Sequence, residues 1–233
     1  MIVSLRYVPA GECALMIYAH AENPEECAAH LRGMLAALDA APPPYLVDAI
    51  PTSDSILLLY DPLRTTGAEM ETYVSRLALP APAEQSASRL IELPVLYGGE
   101  AGVDLGRVAA MAGIEEAEVV WLHASTEYIV RFLGFMPGFP YLGPLPVPLQ
   151  TPRHETPRTV VPAGSVAIAE DQTSIYPVAS PGGWNLIGRT PWRLFDVHEN
   201  PPSLLLPGDR VRFNPVDEAE YSRIHFEILA DRR

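Results

Sequence analysis

The residues best suited to ligand chemistry lie between positions 132 and 191, where glycine, proline, aromatic residues and arginine are interleaved. Fourteen of the 25 prolines fall between Pro137 and Pro207. Glycine lets a backbone approach a ligand closely, and proline fixes the shape of a loop before the ligand arrives. Such loops fit a small molecule that has an apolar face and a carboxylate. The alternative that these residues only turn the corners of a barrel and fill its core stays open.

Sequence motifs for several other chemistries are missing. The segment from His154 to Arg158 begins like a zinc-binding helix motif, but it has no second histidine four residues on, and Pro157 opposes a helix. We therefore predict no metal site. The chain has no Gly-x-Ser-x-Gly elbow of a serine hydrolase. All 16 basic residues are arginines, which excludes a Walker A phosphate loop and a lysine Schiff base in this chain.

Charge and composition narrow the class of partner. The net charge of −13 disfavours nucleic acid and anionic membrane surfaces as partners, and the 48% of hydrophobic residues is enough for a buried core. Two cysteines, Cys13 and Cys27, are too few for a disulfide scaffold and favour a reducing compartment. We find neither a secretion signal nor an apolar run of about 18 residues, so we expect a cytoplasmic protein that does not enter membranes.

The first 80 residues predict a small ββαββα domain. Asn23, Pro24 and Glu26 are typical of a helix start, since they supply a cap, a proline at the first position and an acid at the capping-box position. Cys27, Leu31, Met34 and Leu38 then repeat on one helical face. Strand-like runs lie at 2–8, 13–18, 45–50 and 55–60, and a second helix is predicted over 67–79 with Met70, Val74 and Leu77 facing inward. Both helices are expected to cover one face of the sheet.

The rest of the chain predicts a β-barrel. Periodicity is lost around residues 79–88, so we predict an N-terminal α/β domain over 1–84 and a barrel domain over 85–233, which makes the fold class α+β. A strand at 91–97, helices at 104–112 and 115–124, and a strand at 128–132 precede short β-rich runs at 160–169, 185–189, 193–197, 209–213 and 224–229. The proline and glycine turns between those runs are typical of a closed or nearly closed barrel.

Several strings, in fixed order, resemble the family formed by the B subunits of 5-oxoprolinase. This family is also called allophanate hydrolase subunit 1 and includes the sporulation kinase inhibitor KipI. The longest matching strings run from Gly134 to Leu142, from Val161 to Val166 and from Gly182 to Pro191. Shorter strings at 11–15, 60–62, 97–100, 104–105 and 206–209 extend the resemblance over nearly the whole chain.

The resemblance implies an N-terminal α/β sandwich domain and a C-terminal cyclophilin-like β-barrel. It also implies that the chain works with a homologous C subunit and a separate A subunit to open the lactam of 5-oxo-L-proline to L-glutamate at the expense of ATP. ATP would be used by the complex and not bound by this chain alone. Related modules occur in the carboxyltransferase part of urea carboxylases. The alternative within the family is a KipI-like regulator that binds and inhibits a sensor histidine kinase. Prolyl isomerase activity is a weaker hypothesis, because it rests on the cyclophilin-like fold alone and a shared fold does not imply a shared function.

Lactam opening needs a group that holds the substrate carboxylate, exclusion of bulk water and a proton-transfer group. The candidates are Arg153, Arg158 and Arg189 for anion binding, His123 for proton transfer, and Gln172, Tyr176 and Trp184 for lining the site. Two alternatives stay open: His123 could cap a helix end, and the arginines could fix the proline-rich loops by bonding backbone carbonyls. Glu170 and Asp171 depart from the family pattern, which has a glycine-rich turn there, and could instead face solvent or a basic partner.

Overall fold

The structure, a computed structural model, describes residues 3–79 and 89–230. The chain divides into two compact units, Met1–Ser88 and Arg89–Arg233. The predicted domain boundary between residues 84 and 85 lies outside the described residues. None of the helices in the described ranges is long and apolar enough to cross a membrane.

The first unit contains a four-stranded antiparallel sheet in the order β1-β2-β4-β3. Its elements are β1 Ser4–Pro9, β2 Ala14–His20, α1 Pro24–Ala40, β3 Leu46–Pro51, β4 Ser55–Tyr60 and α2 Gly67–Ser75. The order of these elements along the chain confirms the ββαββα prediction. One apolar cluster joins both helices to the same face of the sheet, and it includes Leu31 and Met34 from α1, Ile17 and Ile56 from the strands, and Met70 from α2.

Helix α2 ends earlier than the sequence predicts. It begins with a capping box, in which the Thr66 hydroxyl accepts from the Glu69 backbone N–H at 3.3 Å and the Glu69 carboxylate accepts from the Thr66 N–H at 2.9 Å. It stops at Ser75, four residues short of the predicted end. Leu77 nevertheless packs against the core from the segment that follows, so the predicted inward face is formed partly by a non-helical residue.

The second unit contains a closed barrel of seven strands in the order β10-β7-β6-β13-β5-β12-β9. Strands β13 and β5 pair in parallel, and the other barrel pairs are antiparallel. The elements are β5 Leu90–Tyr97, α3 Leu105–Ala112, α4 Glu116–Ser125, β6 Tyr128–Leu133, β7 Pro140–Gly143, a 3₁₀ helix Val147–Leu149, β8 Arg158–Val161, β9 Ser165–Ala169, β10 Gln172–Ile175, β11 Ser180–Gly182, β12 Asn185–Arg189, β13 Arg210–Pro215 and α5 Glu218–Ala230. Strands β8 and β11 form a separate two-stranded sheet. The α+β class and the barrel are thereby confirmed.

Side chains on strands β9 and β12 point alternately to two different apolar clusters. Val166, Ile168 and Ile187 are fully buried in the main core, which also holds residues of α3 and α4. Their strand neighbours Ala167 and Leu186 belong to a second cluster. Because successive strand residues face opposite sides of a sheet, the second cluster lies on the outer face of the barrel wall.

The prediction of a strand at 224–229 was wrong, because these residues belong to α5. The run from Ile224 to Leu229 contains an alternation typical of a strand, yet local contacts favour a helix. The Asp217 carboxylate accepts the Glu220 backbone N–H at 2.8 Å at the helix start. Arg223 pairs with Glu220 and Glu227, three and four residues away. The predicted run at 193–197 forms an isolated bridge between Phe195 and Ser203 and no strand.

Candidate functional site

The loop at 151–157 is held against the barrel by three backbone contacts. The Asn185 side-chain amide donates to the Pro152 carbonyl at 3.1 Å, and the Arg107 guanidinium contacts both that carbonyl, at 3.5 Å, and the Asn185 side-chain oxygen. The His154 N–H donates to the Gly183 carbonyl at 2.8 Å. The loop that carries Arg153 is therefore fixed on both sides of that residue.

Arg153 presents a cation on an aromatic surface. Its guanidinium carbon lies 5.7 Å from the centre of the Trp184 ring, which is within the range of a cation–π contact. Trp184 is buried, with 6% of its surface exposed, whereas Arg153 is exposed. Within the described ranges its guanidinium makes no hydrogen bond or ion pair. Arg153 can therefore accept an anion without first breaking a bond inside the protein.

Arg158 is held by a buried carboxylate. One Oδ of Asp104 lies 2.6 Å from the Arg158 guanidinium and 3.2 Å from Nε2 of His154, and the other accepts the Leu186 backbone N–H at 2.7 Å. Arg158 also donates to the Trp184 carbonyl at 3.5 Å. Asp104 thus ties β8, the start of α3 and β12 together beside the aromatic surface. Sequence reasoning missed its role, although Asp104 belongs to one of the strings that carry the family resemblance.

Four aromatic rings meet on the outer face next to the two arginines. Phe139 contacts Tyr176 and Trp184 edge to face, with ring centres 5.2 and 5.9 Å apart, and Tyr141 lies 6.0 Å from Trp184. Burial raises the pKa of the Tyr176 phenol, while the Trp184 backbone N–H and the nearby Arg153 oppose the rise. Burial also raises the pKa of the Tyr141 phenol. Both phenols are therefore neutral at pH 7 and can donate hydrogen bonds. We call this set, with Arg153 and Arg158, the aromatic–arginine patch.

Gly182 is required where β11 crosses the patch. A Cβ atom at this position would lie 2.2 Å from the Tyr176 phenol oxygen. We expect Gly182→Ala to displace the buried Tyr176 ring and to lower the free energy of unfolding by about 1–2 kcal/mol. Gly183→Ala is the matched control, because the nearest atom to its Cβ would be 3.4 Å away. Urea denaturation followed by tryptophan fluorescence measures both, and equal midpoints for the two variants would contradict the expected crowding.

His123 does not lie with the arginines. Its side chain is fully buried, Nδ1 is 2.7 Å from the Tyr97 hydroxyl, and Nε2 is 2.9 Å from the Thr173 hydroxyl. Phe213 stacks on the ring with centres 4.5 Å apart. Thr173 lies between Gln172 and Ser174 on β10, so it points to the barrel interior when they point outward. The wall of the barrel thus separates His123 from the patch, and burial lowers its pKa to about 3. This geometry favours a structural role, and proton transfer by His123 stays a prediction.

The remaining candidates divide between the two ends of the barrel strands. Gln172 pairs with Ala169, a member of the outer cluster, and therefore lies on the same face as the patch. Arg189 pairs with Ser165 at the far end of β12, and its Nε donates to the Ala163 carbonyl at 3.0 Å. That bond fixes a loop, as one of the alternatives proposed, and Arg189 is not part of the patch.

Among the described residues, neither of the two acids near Gln172 pairs with Arg153 or Arg158. Asp171 pairs with Arg131 at 2.9 Å, and half of its side-chain surface is exposed. Glu170 is exposed at the tip of the turn. Among the residues that the structure describes, no group of three or more histidine, cysteine, aspartate or glutamate side chains could hold a metal ion.

Comparison of the chain with known proteins identifies its family. The family model of the carboxyltransferase domain, subdomain C and D, matches residues 5–205. A 5-oxoprolinase B subunit from Bacillus subtilis is 37% identical over 235 residues, which cover 95% of this chain and 97% of that protein. The chain belongs to the family of 5-oxoprolinase B subunits. A second member of this name, from Escherichia coli O157:H7, is 49% identical over 175 residues, 75% of this chain and 80% of its own length.

A solved structure shares the family fold within a longer chain. The crystal structure of TTHA0988 superposes with a TM-score of 0.76 at 38% identity, and the match covers 88% of this chain. The chain spans only 39% of the length of TTHA0988. The fold of the 5-oxoprolinase B subunits therefore also occurs joined to a further polypeptide segment of greater length.

Proposed function

We propose that this chain is the B subunit of an ATP-dependent, multi-subunit 5-oxoprolinase that converts 5-oxo-L-proline to L-glutamate. In this proposal it acts only together with a homologous C subunit and with an A subunit. The near full-length match to a protein named as a 5-oxoprolinase B subunit supports the assignment. The occurrence of the fold inside a longer chain supports the need for a partner polypeptide. Two free cysteines and the use of ATP fit a cytoplasmic complex.

The observation that carries the proposal is the free guanidinium of Arg153 above the buried Trp184 ring. The substrate has one carboxylate attached to a small, flat five-membered lactam. A carboxylate can bind Arg153 while the lactam ring lies against Tyr141, the partly exposed ring of the patch. Arg158, held by Asp104, adds positive potential beside it without leaving its own ion pair. Gln172 supplies an amide on the same face, suited to a lactam carbonyl or N–H.

Amide resonance makes the lactam carbonyl a poor electrophile, and the ATP reaction that overcomes it belongs in this proposal to the partner chains. The starts of helices α2, α3, α4 and α5 do not fit a phosphate site. The helix starts of α2, α3, α4 and α5 carry Glu69, Asp104, Glu116 and Glu218 respectively, and carboxylates there repel the phosphate groups that helix starts otherwise bind. This chain instead binds and orients the carboxylate and shields one face of the ring from water.

The test is ATP-dependent glutamate release by this chain purified with and without the A and C subunits. We expect release only from the complete set. In that complex, Arg153→Gln is expected to raise KM for 5-oxo-L-proline at least tenfold with a smaller change in kcat, because the lost contact is to a carboxylate that does not react.

Arg212→Gln is the control, since Arg212 is a partly exposed arginine on β13, outside the patch, that pairs with Glu92 and Glu127. We expect its kinetic constants to match those of the unmodified complex. An unchanged KM in Arg153→Gln would reject the patch as the substrate site. An inactive complete set would reject the 5-oxoprolinase assignment and favour the kinase-inhibitor alternative.

A further inference from the structure

A cleft lies in the barrel unit, between helix α5 and the loops that precede β9 and follow β12. Its volume is about 570 Å³, which is in the range of small-molecule sites. The walls include Arg189, Trp192 and Arg193 from the barrel side and Tyr221, His225 and Ile228 from α5. None of these residues belongs to the aromatic–arginine patch.

The charge of this cleft is opposite to that of the chain. The whole chain carries a net charge of −13, yet the lining that the structure describes includes two arginines and a histidine and no aspartate or glutamate. Arg193 is already paired with Asp196 at 2.7 Å. Arg189 uses only Nε, on the Ala163 carbonyl, and its two terminal amino groups make no hydrogen bond within residues 3–79 and 89–230. The cleft therefore contains one guanidinium, that of Arg189, which is held in place and has unused hydrogen-bond donors.

The rest of the cleft suits the apolar part of a ligand. Trp192 from the barrel side and Ile228 from α5 line it with apolar surface, as do Pro177, Pro191 and Leu229. The Tyr221 ring lies parallel to His225, with centres 6.2 Å apart. Burial raises the pKa of the Tyr221 phenol, and the nearby Arg189 opposes the rise. The phenol therefore keeps its proton and offers a hydrogen bond close to the guanidinium.

We propose that this cleft is a binding site for a small organic carboxylate, whose anionic group binds Arg189 and Tyr221 and whose apolar body lies between Trp192 and Ile228. The site is separate from the patch, because Trp184 and Arg189 lie at opposite ends of β12. Four residues of extended strand, 185–188, lie between them, so their Cα atoms are roughly 16 Å apart. The proposal thus goes beyond the proposed function and does not depend on it.

The three tryptophans of the chain provide a direct test. Trp192 lines the cleft, Trp184 lies in the patch, and Trp121 is exposed on α4. Labelling the full chain with 5-fluorotryptophan gives one ¹⁹F resonance for each site, assigned with single Trp→Phe variants. We expect benzoate to shift the Trp192 resonance saturably and to leave Trp121 unchanged. The readout is independent of 5-oxoprolinase activity, so a failure of the proposed function leaves this test intact.

Arg189→Gln is expected to weaken benzoate binding at least tenfold, because a charge-assisted contact is lost. Arg193→Gln is the matched control and is expected to change the affinity for benzoate less than twofold, since Arg193 is paired with Asp196. If Arg189→Gln does not fold, as judged from the Trp121 and Trp184 resonances, Tyr221→Phe replaces it, with an expected two- to fivefold weakening.

Three results would overturn the proposal. The first is a Trp192 resonance that does not move with benzoate. The second is equal benzoate affinity in the unmodified protein and in the folded variant of Arg189 or Tyr221. The third is inorganic phosphate shifting Trp192 with the same half-saturation as benzoate, because the apolar walls would then contribute nothing.

Discussion

Replacing Asp104 by alanine is expected to lower the free energy of unfolding of the barrel unit by about 3–5 kcal/mol. The Asp104 carboxylate is 7% exposed and accepts hydrogen bonds from the Arg158 guanidinium at 2.6 Å and from the Leu186 N–H at 2.7 Å. Removing the buried carboxylate leaves the Arg158 guanidinium, 30% exposed, without its partner and the Leu186 N–H without an acceptor, which costs more than the pair itself contributes. All three tryptophans lie in this unit, so urea denaturation followed by tryptophan fluorescence reports it directly.

Asp171→Ala is the control for that measurement. Asp171 also pairs with an arginine, at 2.9 Å from Arg131, but half of its side chain is exposed. Solvent-exposed pairs contribute less than about 1 kcal/mol. We expect the double variant Asp104→Ala with Arg158→Ala to recover part of the lost stability, because no unpaired guanidinium remains. Similar midpoints for Asp104→Ala and Asp171→Ala would show that Asp104 does not hold the patch together.

Acidification is expected to destabilise the barrel unit through His123. Burial lowers the pKa of this imidazole to about 3 in the folded protein, whereas an unfolded histidine titrates near 6.5. Below pH 6.5 His123 therefore binds a proton in the unfolded state but not in the folded state. The free energy of unfolding is therefore unaffected by His123 above pH 6.5 and falls as the pH drops toward 3. At pH 4.5, two pH units below the pKa of an unfolded histidine, the loss amounts to about 3 kcal/mol.

His123→Gln isolates this contribution, because glutamine can hydrogen-bond the Tyr97 and Thr173 hydroxyls and does not titrate. We expect the variant to be less stable at pH 7.5 but to lose less stability than the unmodified protein between pH 7 and pH 4.5. The measurement is the urea midpoint across that pH range, which cancels the carboxylates common to both proteins. Parallel pH profiles would mean that His123 is accessible and protonated in the folded state, and would reopen its assignment to proton transfer.

The sequence alone determined the α+β class, the ββαββα order of the first unit and the presence of a barrel. These features follow from local patterns. Leu31 and Met34 recur at helical spacing, and the apolar run of β4 requires burial on a sheet. The same local reasoning failed at 224–229, where an alternating pattern is compatible with both a strand and a helix. The Asp217 cap and the ion pairs of Arg223 decide between them.

The composition of the candidate site could be predicted only in part. Arginine and aromatic residues with proline-rich loops indicated anion recognition, and Arg153, Arg158, Tyr176 and Trp184 do lie together. What the tertiary structure decided is which face of the barrel wall each side chain occupies. Thr173 faces inward to His123, while Gln172 and Tyr176 face outward, and Arg189 lies at the other end of its strand. Side-chain direction and strand register depend on pairings between residues far apart in the chain, and a linear sequence does not specify them.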